Sequence, residues 1–476
     1  MKAILLLCVA LALIAVVVLV GLRLVKATRI WPAALLIVTA PLEVYRSSSA
    51  AGLNVSLFRL ALVLGVGALA VDLARGRKRF TRVLAIPFVI YGAFVTWQLI
   101  SLVFVTPAHS LAYRFLGQYA GGLVAAFIIT CYVQRKDLRV VAGLCGAAAV
   151  LPLFAAAFRV FSVRHGGSGD LPGLSDLPLD PTIQAARKSG SYLLDGTQRL
   201  NATFSDPNHF GFYIATVFLV LTGAIYWILF IEKPTPRRVA ASYVLLATST
   251  VVAVIGTYSR SSWLMAGFGV IVLGALLGRS IWTRQRMIAA GTIGLLVLGL
   301  ASPLILSRLS LSNRGNVESD QVHERTMSVA LKLVAHDPVF GVGLGDYGRH
   351  ARQPSLVSSA HSTFLTVASE LGILGVALLL GAITMTSIGA VRSARRAPPG
   401  DRAILSGFTA AYVGLALANI FYEVWMDDFQ WILFGLVLAL TTQDYVSFRG
   451  VSLHKRATGR GAAPGAATDQ GEVVVC

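Results

Sequence analysis

The sequence predicts an all-α polytopic membrane protein with 12 or 13 membrane-spanning helices and a long, partly helical loop on the outer side. Hydrophobic residues make up 56% of the 476 residues and charged residues only 13%, whereas soluble domains carry about 25% charged residues. Apolar runs of about 20 residues recur along the chain, the length that crosses a bilayer. Basic clusters fall in every second loop, which is the positive-inside pattern of membrane proteins.

The apolar runs give the predicted helices in order. They lie at 3–22, 30–45, 57–74, 83–104, 112–133, 138–160, 208–230, 239–257, 262–278, 287–306, 362–391, 402–420 and 428–446. Pro32 and Pro41 interrupt the second run, and its uninterrupted centre is short. A re-entrant segment is therefore the alternative to a full span there, which leaves both 12 and 13 spans open.

These helices divide the chain into six parts. They are N-terminal helices (1–160), an outer loop (161–207), central helices (208–306), a second, long outer loop (307–361), C-terminal helices (362–446) and a basic tail (447–476). Loops longer than about 12–15 residues are usually functional or disordered. We therefore expect the loop at 307–361 to carry part of the functional site, and the tail to be cytoplasmic and disordered.

The net charge of +19 has a topological explanation. The basic residues are spread over short clusters between apolar runs and do not form one face, so nucleic-acid binding is excluded as the main function. The four cysteines show no metal-ligand spacing, and the outer loops contain no Asp-x-Asp pair or His/Cys cluster. We therefore expect neither a metal nor another cofactor.

The long outer loop at 307–361 contains one amphipathic helix. Its apolar face comprises Val322, Val329, Ala330, Leu333 and Val334, and its polar face His323, Glu324, Ser328 and Lys332. A solvated charged face is the ordinary interpretation of the polar side. Pro338 is expected to end this helix, and the glycines at 341, 343 and 345 then predict a flexible turn.

Two groups of polar residues precede predicted helices on the outer side. In the first, Arg199 to His209, either Asp206 or Asn208 can cap the free amides of the helix that follows. In the second, Tyr258-Ser259-Arg260, so few residues join two helices that Arg260 must lie at the interface. A snorkelling arginine is the alternative to a functional one.

Two further candidates lie on the long loop and at its end. Arg325 is on the amphipathic helix. His361 lies at the N-terminal end of a predicted membrane helix, where Ser362 or Thr363 can serve as N-cap. A histidine there can act as a general base near neutral pH. A single histidine is more often structural, so this function needs further support.

Glu370 lies within the same predicted helix, on roughly the opposite side from His361. A carboxylate in a membrane span costs a few kcal/mol unless it is paired. We expect a structural role in which Glu370 meets an arginine or helix-end amides from another helix. Gly372 and Gly375 would then allow the close approach.

Taken together and in order, these motifs resemble the O-antigen ligase/polymerase family of bacterial envelope glycosyltransferases. The matching pieces are Arg199 with Phe204-x-x-Pro207-Asn208, then Ser259-Arg260, then Arg325 with Asp337-Pro338-x-x-Gly341-x-Gly343-x-Gly345, then His361-Ser362-x-x-Leu365 with Glu370-x-Gly372-x-x-Gly375. They cover roughly residues 195–380. The chain departs from the family pattern at Ser362, where the family more often has Asn.

The resemblance implies glycan transfer from an undecaprenyl-diphosphate-linked donor to a hydroxyl of a glycan or lipid A–core acceptor, at the periplasmic face of the inner membrane. His361 would be the base, and Arg260 and Arg325 would bind the diphosphate as it leaves. Arg199, Asn208, Tyr258 and Ser259 are the further substrate-binding candidates. The reaction would be inverting and would need no metal.

Other functions remain open at the level of the sequence. A ligase and a polymerase would use the same donor, and these residues do not separate them; a protein O-glycosyltransferase of similar build is a third possibility. A flippase or glycan transporter is the alternative of a different class. Transporters usually place charged residues at the membrane midplane in repeated, broken helices, whereas most polar candidates here lie at the outer boundary. A membrane scaffold without catalytic activity is a further alternative.

Overall fold

In the computed structural model, the described residues are 30–42, 46–50, 53–75, 86–106, 110–164, 193–194, 197–204, 206–231, 237–278, 314–350, 360–424 and 426–441. The predicted helices at 3–22 and 287–306 lie outside these residues, as does the tail at 447–476.

The described residues are mainly helical. The helices are α1 (Trp31–Thr39), α2 (Leu57–Ala74), α3 (Ile86–Phe104), α4 (Ser110–Tyr132), α5 (Leu138–Arg164), α6 (Pro207–Phe230), α7 (Arg237–Gly256), α8 (Arg260–Leu277), α9 (Arg314–His336), α10 (Tyr347–His350), α11 (Thr363–Arg396), α12 (Pro399–Ala418) and α13 (Asp428–Thr441). A 3-10 turn, Arg135–Asp137, precedes α5. Two short antiparallel hairpins join β1 (Arg46–Ala50) to β2 (Leu53–Ser56) and β3 (Leu193–Leu194) to β4 (Thr197–Gln198).

The predicted class, an all-α polytopic membrane protein, is confirmed. Within the described residues, the helices α2 to α8 and α11 are long and apolar enough to cross a membrane, and α13 is apolar but shorter. The predicted span at 30–45 contains only the nine residues of α1. At 1.5 Å per residue α1 is about 13 Å long, too short to span, so the structure agrees with the re-entrant alternative.

Helix α6 lies at the centre of the bundle, with most of its side chains buried. It packs antiparallel to α12, where Gly223 faces the carbonyl of Ala403 and Gly407 faces the carbonyl of Leu219. Small residues allow two membrane helices to approach this closely. The antiparallel packing brings the first residue of α6 to the same end of the bundle as the last residue of α12.

Helix α11 is interrupted, which corrects the prediction of one continuous span at 362–391. Gly372 has φ 68° and ψ −169°, a conformation that is essentially restricted to glycine. The chain therefore forms a short helical segment, Thr363–Leu371, before the longer part of α11. The loop that follows α9 packs against this break: the Ile373 amide donates to the carbonyl of Pro338 at 2.8 Å.

Candidate functional site

Helices α6, α8 and α11 each begin with a side-chain cap, and their first turns carry the candidate residues. Asp206 caps α6 by accepting from the Asn208 amide at 2.6 Å, and Ser259 caps α8 by accepting from the Ser262 amide at 3.3 Å. Ser362 caps α11. The Ser262 hydroxyl also donates to the Asn208 carbonyl at 3.4 Å, which ties the start of α8 to the start of α6. Helix N-termini carry partial positive charge and favour bound anions.

Arg199 joins the segment before α6 to the end of α7. Its Nε donates to the Thr257 carbonyl at 2.9 Å, and its Nη2 donates to Oδ1 of Asn208, also at 2.9 Å. Two predicted substrate-binding residues, Arg199 and Asn208, are therefore in direct contact. Both are half-buried, so the positive charge of Arg199 is held beside the start of α6.

His361 is held in an unusual conformation at the start of α11. Its φ of 52° is in the left-handed region, which costs about 1–3 kcal/mol for a residue other than glycine and is concentrated at functional sites. The flanking residues fix this turn: the Ala360 amide donates to the Thr366 hydroxyl at 3.0 Å, and the Thr363 amide donates to the Asn419 carbonyl at 3.0 Å.

The ring of His361 packs against His323 of α9, with the ring centroids 4.2 Å apart and the planes at 31°. This contact corrects the interpretation of His323 as part of a solvated face. The neighbouring Glu324, Ser328 and Lys332 are exposed as predicted, and Ala330 on the opposite face is buried. His323 thus connects the amphipathic loop helix directly to His361.

Tyr422 lies on another side of His361, with the ring centroids 5.8 Å apart. Its hydroxyl lies near the side chains of Asp206 and Asn208. The ring of His209 meets Tyr422 edge-on at 5.6 Å, and Nδ1 of His209 lies 2.7 Å from Oδ1 of the buried Asp427. Four rings therefore form a column, the His209–Tyr422–His361–His323 column, that connects α6, the α12–α13 connection, α11 and α9.

Sequence reasoning did not identify the roles of His209, Tyr422 and Asp427. The only signals were that His209 follows the capping motif of α6 and that Asp427 lies in an outer, acid-rich loop. Burial raises the pKa of the Tyr422 phenol well above its usual range, so its hydroxyl is protonated. Burial also raises the pKa of Asp427, and the adjacent His209 opposes that shift.

Of the two predicted arginines, only Arg325 is close in sequence to a member of this column, His323. Arg260 is the first residue of α8 and is partly exposed, next to the Ser259 cap. Arg325 is exposed on α9, two residues after His323, and its side chain makes no hydrogen bond or ion pair within the described residues. Within those residues it is connected to the column through its neighbour His323.

Tyr258 and Ser259 form the tight turn between α7 and α8. Tyr258 is half-buried and has φ 53°. Like His361, it therefore lies in the left-handed region. Ser259 is buried, and its hydroxyl accepts a hydrogen bond from the Ser262 hydroxyl at 2.8 Å as well as from the Ser262 amide. The structure thus gives Ser259 a capping role at the start of α8.

Glu370 connects α11 to α9 through α10. The buried carboxylate accepts from the Tyr347 amide at 3.3 Å, and the Tyr347 hydroxyl donates to the Thr326 carbonyl at 2.8 Å. This chain of hydrogen bonds fixes the turn of α9 that carries His323 and Arg325. The predicted close approach holds for Gly372, where a Cβ would clash with the carbonyl of Val339, whereas at Gly375 a Cβ would clash with Leu371 of α11 itself and would make only ordinary contact with Trp97 of α3.

Part of the chain matches a known protein family. Residues 243–380 match the family model described as O-antigen ligase (Wzy_C), so the resemblance predicted from the sequence is confirmed. The matched range contains Arg260, Arg325 and His361, whereas Arg199 and Asn208 precede it. One solved structure, from a study of polymerisation and crosslinking by a peptidoglycan synthase complex, aligns with 75% of this chain and 96% of its own at 18% identity and a TM-score of 0.41. A search of curated proteins finds no match.

Proposed function

From the O-antigen ligase domain at residues 243–380, we propose that this membrane protein transfers a glycan from undecaprenyl diphosphate to an acceptor hydroxyl. The observation that carries the proposal is the packing of His361 at the start of α11 against His323 of α9, two residues from the exposed Arg325. The membrane is the bacterial inner membrane, the site faces the periplasm, and the C-terminus is cytoplasmic. The acceptor is a growing glycan or lipid A–core.

The positive groups bind the donor diphosphate. Arg260 and Arg325 approach it from α8 and α9, and the guanidinium fork matches phosphate oxygens in pairs. Arg199 is already oriented by Asn208 and the Thr257 carbonyl, so it contributes fixed positive charge beside the first turn of α6. These cations stabilise the negative charge that develops on the leaving diphosphate. They supply the charge compensation that a metal ion provides in other transferases, so the proposed reaction is metal-independent.

His361 removes the proton of the acceptor hydroxyl. The freed oxygen attacks the anomeric carbon of the donor glycan and forms the new glycosidic bond. The bond from that carbon to the diphosphate oxygen breaks, and undecaprenyl diphosphate leaves with the electron pair. Attack opposite the leaving group inverts the anomeric centre. The proton stays on His361 until it is released to solvent or to the leaving diphosphate.

The rate of glycan transfer should not fall at a pH near the ordinary pKa of histidine. Burial and the neighbouring His323 together lower the pKa of His361 to about 4, with burial the larger cause and Asp206 opposing the shift; Tyr422, the other group facing the ring, remains protonated. The base is therefore neutral above pH 4, and activity should be lost only as the pH falls through that value. His323→Phe keeps a ring but removes a charge, so the acid limb should move to higher pH.

The measurement is the pH dependence of glycan transfer by purified protein in nanodiscs. The matched control is His336→Phe, because His336 is an exposed histidine at the end of the same helix. A wild-type acid limb near pH 6.5, or an unchanged limb in His323→Phe, contradicts this electrostatic description of the site.

The proposed function is tested by mass analysis of lipid-linked and acceptor-linked glycans in a deletion strain. Loss of the protein should leave glycan on undecaprenyl diphosphate, and the wild-type gene should restore transfer. Accumulated single repeat units would identify a polymerase, and accumulated full-length lipid-linked chains would identify a ligase. Unchanged lipid-linked and acceptor-linked pools would refute the proposal, and lipid-linked glycan trapped on the cytoplasmic side would indicate a flippase.

A further inference from the structure

The segment that follows α9 lies deep between two membrane helices. The Phe340 ring stacks on Trp97 of α3, with centroids 5.6 Å apart and planes at 22°. Trp97 lies seven residues before the last residue of α3, Phe104, and therefore about 10 Å along the helix from its end. The Trp97 indole in turn donates to the carbonyl of Leu371 at 2.9 Å, which ties α3 to the break in α11.

Contacts with α11 give the same depth independently. The Val342 amide donates to the Ser369 carbonyl at 2.9 Å, and the Pro338 carbonyl accepts from the Ile373 amide at 2.8 Å. These partners lie six to ten residues after Thr363, where α11 begins, or about 9–15 Å along the helix. Two helices thus place the lowest part of this segment well below the ends of the bundle.

The segment then contacts the end of α3. The Leu344 amide donates to the Thr106 hydroxyl at 2.8 Å, and Gly343 packs against the same threonine. Thr106 lies just beyond the end of α3. Phe340 thus contacts α3 at Trp97, and Gly343 and Leu344 contact the chain just beyond its last residue.

Four successive backbone amides of the segment donate hydrogen bonds to protein groups. The amides of 341, 342, 343 and 344 donate, in turn, to the carbonyls of Asp337, Ser369 and Glu370 and to the Thr106 hydroxyl. Non-helical backbone at membrane depth needs protein partners of this kind. The glycines are needed here because Gly341 and Gly343 have φ of 69° and 108° and pack directly on Glu370 and Thr106. The segment is therefore ordered, in contrast to the flexible turn that the sequence predicted.

The lower part of the segment presents apolar side chains outward. Val339 is 52% exposed and Phe340 51% exposed, and Ile373 at the break in α11 is 62% exposed. Ile373 begins an exposed apolar stripe on α11 that continues through Leu380 and Ile388. The exposed patch is therefore continuous with a surface that a spanning helix presents to lipid.

We propose that Pro338–Gly345, the re-entrant loop, is inserted in the leaflet on the site side of the membrane and presents Val339 and Phe340 to lipid acyl chains. The loop fixes the C-terminal end of α9 in the bilayer. Consequently, the helix that carries His323 and Arg325 is held at the membrane interface, and not free in the aqueous phase. This inference concerns depth and contacts in the membrane and does not depend on the reaction.

Spin labelling in phospholipid nanodiscs tests the depth of the loop. A nitroxide at Val339→Cys, in a variant whose native cysteines are replaced by serine, should collide often with oxygen and rarely with a water-soluble nickel chelate. The matched references are Leu99→Cys, exposed on α3 two residues after Trp97, for lipid and Ser328→Cys, exposed on α9 ten residues before Pro338, for water. We expect Val339→Cys to match Leu99→Cys, with nickel accessibility several-fold below that of Ser328→Cys.

Two results would overturn the proposal. Nickel accessibility equal to that of Ser328→Cys would place the loop in water, and low accessibility to both reagents would show that another segment covers it. A label at Phe340→Cys provides a second reading if Val339→Cys does not fold. Because the loop occupies the break in α11, adding Gly372→Ala should raise the nickel accessibility of the label, whereas Gly389→Ala, with open space around it in the same helix, should not.

Discussion

Replacing His361 should lower the rate of glycan transfer by about 10²- to 10⁴-fold, the usual contribution of a general base. His361→Ala removes the imidazole but also places alanine at φ 52°, where alanine is disfavoured. His361→Asn is the sharper variant, because asparagine tolerates the left-handed region and cannot accept the proton. Both variants should show the same loss, measured as acceptor-linked glycan by mass spectrometry in a complemented deletion strain.

The control separates loss of the base from loss of the fold. His336→Ala removes an exposed histidine that pairs with the adjacent Asp337, and it should transfer glycan at the wild-type rate. Membrane yield, elution volume and thermal unfolding temperature should agree between His361→Asn and the wild type. A folded His361→Asn protein with wild-type transfer would disprove the assignment of His361 as the base.

Replacing Arg325 should have the second largest effect. Arg325→Ala should lower transfer by about 10²- to 10³-fold, the cost of removing one donor that stabilises a developing anion. Arg325→Lys keeps the charge but loses the planar fork, so it should restore only part of the activity. Stability should change little, because the exposed guanidinium makes no hydrogen bond or ion pair within the described residues.

Lys332→Ala is the matched control for Arg325. Lys332 is exposed on the same helix, about two turns further along, so its replacement changes the net charge of α9 by the same amount. We expect wild-type transfer for Lys332→Ala. Equal losses for Lys332→Ala and Arg325→Ala would mean that the overall charge of α9 matters and that Arg325 does not contact the diphosphate.

The role of Glu370 shows what sequence reasoning could and could not reach. The cost of a carboxylate in a membrane span predicted a partner from helix-end amides or an arginine, and the structure provides the amide of Tyr347 at the start of α10. The identity of that partner was not predictable, because Tyr347 follows a glycine-rich segment that the sequence indicated only as a flexible turn. The break at Gly372 was also missed, since a single glycine in a long apolar run does not by itself indicate an interruption.

The sequence by itself determined the class of the protein, its alternation of membrane helices and loops, and the motifs that resemble the O-antigen ligase family. These features depend on local composition: apolar length selects spanning helices, and charge selects the side of each loop. Tertiary structure decided the rest. The contact of His323 with His361, the position of Tyr422 between two histidines, and the depth of the re-entrant loop all join residues that are far apart in the chain. Such contacts depend on how the helices pack, which local residue patterns do not determine.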